Sequence, residues 1–215
     1  LVTLRDSQEP QVLMNFDARR CDETAAGLAQ AGVAQVPTLV LDATESQPYD
    51  KHPERDPRWK LLRADEQARW QRLMQDQPAA DVASAARRRE VARRIIGSLR
   101  RAGVPILAGT DAPMPGIYPG DALHQELALL VEAGLTPAQA LRAATTEAAR
   151  FLGRSDDFGR IALGQRADLV LLSGNPLADI RHTRRIEAVV LNGRLLRRDA
   201  LDALLVEPRR LDASK

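Results

Sequence analysis

The chain has 215 residues, 44% of them apolar and 28% charged, which describes one large soluble domain or two small ones. Thirty-one basic and 29 acidic residues leave a net charge of only +2, so a generally basic, nucleic-acid-seeking protein is excluded. Cys21 stands alone, which excludes a disulfide framework and a cysteine-built zinc site and suits a reducing, cytoplasmic setting.

In chain order, Val12-Leu13-Met14 is a candidate short strand. Residues 22–31 predict a helix with Asp22 as its cap, Glu23 in the first turn and Gly32 where a left-handed C-cap belongs. Val36-Pro37-Thr38-Leu39-Val40-Leu41 predicts a buried strand, with Pro37 at its beginning or on an edge because proline cannot donate to a ladder. Residues 42–58 are proline-rich and aperiodic, the kind of connection that covers or edges a site. His52 lies there, either as a ligand or as a solvated side chain. A helix over 64–75 follows, with Trp59 and Trp70 as packing anchors.

The longest helix is predicted over 81–102. Val91, Ala92, Ile95, Ile96 and Leu99 form its apolar face, and Arg87, Arg89, Arg93, Arg94, Arg100 and Arg101 lie mostly opposite. Without interleaved aromatics, that arginine run reads as a solvated face and not as a nucleic-acid surface.

Gly103 ends the helix, and Val104-Pro105-Ile106-Leu107-Ala108-Gly109-Thr110-Asp111 then reads as an apolar strand stopping on a carboxylate before a Pro/Gly-rich loop. Barrels and open α/β sheets present site residues in this way, at the carboxyl ends of their strands. The plainer alternative is that Asp111 caps a turn. A helix from Asp121, with Leu123, Leu127, Leu130 and Val131 on one face, stops at Gly134. A second, capped by Thr136 with Pro137 in its first turn, buries Leu141, Ala144, Ala148, Phe151 and Leu152 and closes at Gly153. No glycine-rich phosphate loop opens either helix, and no G-x-S-x-G is present to pair with Ser173.

Residues 159–172 predict two short strands, and residues 188–196 a hairpin about Asn192-Gly193. Residues 207–215 form a charged tail. No segment reaches the run of about 18 apolar residues that a membrane span needs. The opening residues are not a signal peptide and lack Met, from which we expect a chain that starts inside a longer reading frame or after processing.

Five segments taken in order, GVAQVPTLVL, GVPILAGTDA, HQELALLVEAGLTPAQALRAATTEAARFLG, GRIALGQRADLVLLSGNPLADI and IEAVVLNGRLL, resemble the C-terminal part of the metal-dependent amidohydrolase superfamily, in its imidazolonepropionase-like branch. The likeness covers residues 20–197. It implies an α/β fold: the C-terminal portion of a (β/α)8 TIM-type barrel over residues 1–155, a small composite β-sandwich layer over 156–200, and a tail over 201–215. It implies that Asp111 binds a divalent metal, expected to be zinc, and takes the proton of the attacking water. It places His124 in a substrate-side or supporting role, beside the alternative of a capping or core histidine.

The expected activity is hydrolysis of a carbon-nitrogen bond in a small amide or dipeptide, with neither nucleic acid nor membrane as partner. The alternative is a catalytically incomplete, non-catalytic structural or interaction module. The departures from the family are as informative. No H-x-H occurs, and His52, His124 and His182 lack the spacing to complete a three-ligand zinc site with Asp111. A complete barrel takes about 250 residues, so a missing N-terminal half or partner chain is expected.

Overall fold

The computed structural model describes residues 15–45, 53–75 and 82–206. The expected strand at Val12-Leu13-Met14, His52 and the 207–215 tail lie outside them. Among the described residues no helix is long and apolar enough to cross a membrane.

Helix α1 (Ala18–Gln30) begins earlier than the sequence suggested, because Asp17 caps it by accepting the N–H groups of Arg19 and Arg20 at 2.9 and 3.1 Å. Asp22 instead faces outward and pairs with Arg101. Helix α2 spans Leu39–Glu45, α3 Ala64–Gln75 and α4 Val82–Ala102, with short 3-10 turns at Pro53–Arg55 and Trp59–Leu61. Helix α1 packs along α4. Four arginines of α4 pair with three acids: Arg93 and Arg94 with Glu90, Arg88 with Asp42 and Arg101 with Asp22.

Neither the strand expected over 36–41 nor the one expected over 104–111 forms. Gln35 alone bridges Ile106, in parallel, with Gln35 N–H donating to Pro105 at 2.9 Å and Leu107 N–H donating back to Gln35 at 2.9 Å. The next rung of a parallel ladder would need an N–H at residue 37, and Pro37 has none. Thr38 then takes a left-handed φ of 49°, and the chain turns into α2. Segments 35–38 and 104–110 nevertheless run side by side. A Cβ on Gly109 would lie closer than 3.0 Å to Val36 Cγ1, so only glycine allows this approach.

Helix α5 is Asp121–Glu132, α6 Pro137–Ala143 and α7 Thr146–Phe151. Thr136 and Gln139 close a reciprocal capping box on α6. The single helix expected through Leu152 is broken at Thr145, whose backbone leaves helical geometry (φ −132°, ψ −91°) and whose hydroxyl bonds back to Leu141 at 2.7 Å. The break carries the stripe off register. Phe151 and Leu152, expected to be buried, are 64% and 61% exposed, while Ala149 is buried in their place.

Of the two strands expected over 159–172, only β1 (Leu169–Leu172) forms. Gly159 and Gly164 stand at φ +101° and +82°, turning the preceding stretch. β2 (Ile186–Leu191) and β3 (Arg194–Arg197) make the expected hairpin, with Asn192 and Gly193 both at positive φ. The sheet is antiparallel in the order β1-β2-β3, and α8 (Arg198–Val206) packs on β2 and β3.

The main core joins α1, α4, α5 and α6 through Ala25, Ile96, Leu99, Leu127, Leu130 and Ala140, with Val104 and Ile106 threaded among them. A smaller core of Val40, Leu41, Ile117 and Ala122 lies where α2 meets α5.

Candidate functional site

The apolar segment 104–110 is anchored in the main core and ends in the open: Val104, Ile106 and Leu107 are buried, while Asp111 is exposed. Ala108 N–H donates to Ala143 at 3.1 Å, which ties the segment to the end of α6. Asp111 has a left-handed φ of 55°, uncommon outside glycine and most accessible to Asp and Asn. The segment thus stops abruptly and releases its carboxylate at a turn. The following loop is pinned by Ile117, which is fully buried and bridges Met114, its N–H donating to the Met114 carbonyl at 2.8 Å. Met114 and Ala112 pack on the same small core as Val40.

Helix α5 buries an acid that no sequence motif singled out. Glu126 of α5 is 0% exposed, and its Oε2 accepts the Val40 N–H at 2.8 Å. Its Oε1 has no hydrogen-bond partner. Burial pushes this carboxyl up to about 7, against the partly opposing pull of the Val40 and Leu39 N–H groups. The one signal in the sequence was an acid at a stripe position, three residues after Leu123 and four before Leu130.

On another side of α5 is a polar network. Asp121 lies between Arg58, at 2.5 Å, and Arg184. Burial alone would raise the Asp121 carboxyl, but the hydrogen bond from Arg184 and the charges of Arg184 and Arg58 hold it below its ordinary value. Arg58 is also clamped by Asp56, at 2.6 Å, and lies 4.3 Å over the ring of Tyr118. Tyr118 stacks edge-on with Trp70, which meets Trp59 in the same way, so the expected role of both tryptophans as packing anchors holds. Burial, with the Asp56 charge, pushes the Tyr118 hydroxyl up to about 12. A cavity of about 750 Å³ opens beside this group, lined in part by Thr44, Arg55, Arg58, Trp70, Tyr118 and Gln125; Asp111 does not line it.

His124 points to the turn at Ile180–Arg184, with Nδ1 3.0 Å from the Thr183 hydroxyl. That hydroxyl donates its proton to Ile180 at 2.9 Å, so Nδ1 is the donor to Thr183 and Nε2 carries the lone pair when the ring is neutral. Burial, then the nearby Arg184 charge, lowers the His124 pKa, and Asp121 opposes them. His182 donates from Nδ1 to the Asn175 carbonyl at 2.9 Å and packs on Gly174. Both histidines are therefore engaged within the fold. Among the described residues no group of three or more His, Cys, Asp or Glu side chains could hold a metal ion. Asp111 and the other described residues do not by themselves fit a catalytic metal.

Comparison with known proteins places this geometry. Imidazolonepropionase of Salmonella heidelberg is 40% identical over 84 residues, covering 39% of this chain and 20% of that protein. Among solved structures, a bottromycin amidohydrolase superposes with a TM-score of 0.63 at 27% identity, over 93% of this chain and 47% of its own. A prolidase complexed with N-methylphosphonate-L-proline gives a TM-score of 0.52 at 27% identity, over 82% and 38%. The chain thus spans about a fifth of the imidazolonepropionase and under half of these structures. The model of the Amidohydrolase family matches residues 41–196, nearly three quarters of the sequence, and the chain belongs to that family.

Proposed function

We propose that this chain is the C-terminal portion of a metal-dependent hydrolase of carbon-nitrogen bonds in small, non-peptide or dipeptide amides. The observation that carries the reading is Asp111, exposed at the end of a core-anchored segment that runs parallel to its neighbour at residue 35. In this reading residues 1–155 are the last strands and helices of a (β/α)8 barrel, 156–200 a composite β-layer and 201–215 a tail. The prolidase complex and the imidazolonepropionases support a small amide substrate.

Asp111 would take the proton released as water adds to the amide carbon, then return it to the leaving nitrogen as the C–N bond breaks. Each turnover consumes one water and leaves Asp111 as it began. Because the described residues do not fit a metal alone, the remaining ligands come from outside them, from further sequence of the same gene product or from a partner chain. His124 supports the site from a distance, tying α5 to the Ile180–Arg184 turn.

The same lack of a ligand cluster favours a second reading, a non-catalytic module that binds no metal tightly. Hydrolysis of a panel of cyclic amides and dipeptides by the gene product carrying these residues, with zinc and with a chelator, separates the two. Zinc-dependent turnover supports the hydrolase; a panel without turnover in either condition, with no metal retained, supports the module.

A further inference from the structure

Helix α2 begins just after Thr38. Pro37 precedes its first turn, and the Thr38 hydroxyl, which could have capped it, donates to the Pro37 carbonyl at 2.8 Å instead. The free N–H groups at the start of such a helix need acceptors, and an acceptor 86 positions along the chain meets one of them: Glu126 Oε2, at 2.8 Å from Val40 N. A fully buried carboxyl with one unpartnered oxygen is a costly way to fill the interior, where Leu or Met would pack at no electrostatic cost. Its geometry therefore calls for a reason beyond packing.

The reason lies on the other side of Val40. Val40 is buried against Ile117 and Ala122, and Ala112 and Met114 pack on the same cluster. Ala112 is the residue directly after Asp111. Held N–H, buried Val40 side chain and loop residues form one short mechanical chain from Glu126 to the turn that carries Asp111. We propose that Glu126 is a positioning residue for Asp111, fixing the start of α2 and, through the Val40–Ile117 contact, the 112–118 loop. The catalytic meaning of this rests on the reading of Asp111 given above; the link itself does not. Two charged groups on the packed elements are committed to other partners, Asp42 of α2 to Arg88 of α4 and Asp121 of α5 to Arg58 and Arg184.

Hydrogen exchange read by mass spectrometry on this chain tests the link, comparing the wild type with Glu126→Gln, Glu126→Leu and Glu126→Asp. Gln keeps an acceptor at the same reach, and its exchange over 36–45 and 109–118 is expected within about twofold of wild type. Leu removes the acceptor and should speed exchange in both segments by about tenfold or more, leaving β2 and β3 unchanged. Leu exchanging like the wild type over 109–118, or Gln exchanging like Leu, overturns the proposal. If Leu unfolds the whole chain, Asp decides, since it keeps the acid but is a methylene short. Faster exchange in the two segments alone supports the link, and exchange equal to wild type overturns it. The amide panel can fail without altering this result, so the two readings fall separately.

Discussion

Replacing Gly109 by Ala tests whether segments 35–38 and 104–110 really run in contact. The added Cβ would lie closer than 3.0 Å to Val36 Cγ1, so the two must part by several tenths of an ångström at least. Val36 is stiff at χ1 and cannot swing a methyl aside freely, although it is half exposed and can move outward as a unit. Overpacking of this kind costs about 1–3 kcal/mol. Val36→Ala removes the obstructing methyl, so in the double variant the Gly109→Ala penalty should largely vanish, giving a coupling of about 1–2 kcal/mol. Urea unfolding followed by the fluorescence of the buried Trp59 and Trp70 reads all four forms. Strictly additive effects would mean that the two segments do not touch at Gly109, and the parallel arrangement that presents Asp111 would be wrong. Gly103→Ala is the control: it has open space but a φ of +77°, so it should destabilise through backbone strain alone and show no coupling to Val36.

Trp70 is fully buried between Trp59 and Tyr118 and donates to Glu66 at 3.0 Å, so Trp70→Ala should cost about 3–5 kcal/mol in the same urea assay. Glu126 titrates near 7 when folded and at 4.5 otherwise, so the folded chain holds the extra proton between those values. Its stability contribution is present below pH 4.5 and fades as pH rises through 7, a loss of about 3 kcal/mol that Glu126→Gln should abolish. His124 has the opposite sign. Its folded pKa is lowered from 6.5, so stability is lost as pH falls below 6.5, and His124→Gln should flatten that limb of the pH-stability curve. A wild-type curve without either slope would contradict both burials.

What was legible in the sequence was what local rules decide. The helix over 64–75, the helix from Asp121 with its stop at Gly134, the Thr136 cap and the Asn192-Gly193 hairpin depend on neighbours a few residues apart, whereas Leu123 of the expected α5 stripe is 38% exposed and Ala122 is buried instead. The strand expected at 36–41 failed on a rung count that includes its partner: Pro37 is tolerable in a run but falls where this ladder needs a donor. Thr145 hid the break that exposes Phe151, because an apolar stripe does not register one backbone turn. Asp111 was legible because its position at the end of an apolar run is itself a local pattern. Glu126, and the Asp121 pairing with Arg58 and Arg184, were not, since the acceptor and donors lie 63 to 86 residues apart.

The central claim is that Asp111 is the proton-accepting carboxylate of a C–N hydrolase. Its most direct test is the turnover of the gene product carrying these residues, before and after Asp111→Asn, on an amide from the panel that the wild type cleaves. The account predicts that kcat falls by a factor of about 10² or more, with KM little changed and hydrogen exchange over 109–118 preserved. Turnover within about twofold of wild type would contradict it.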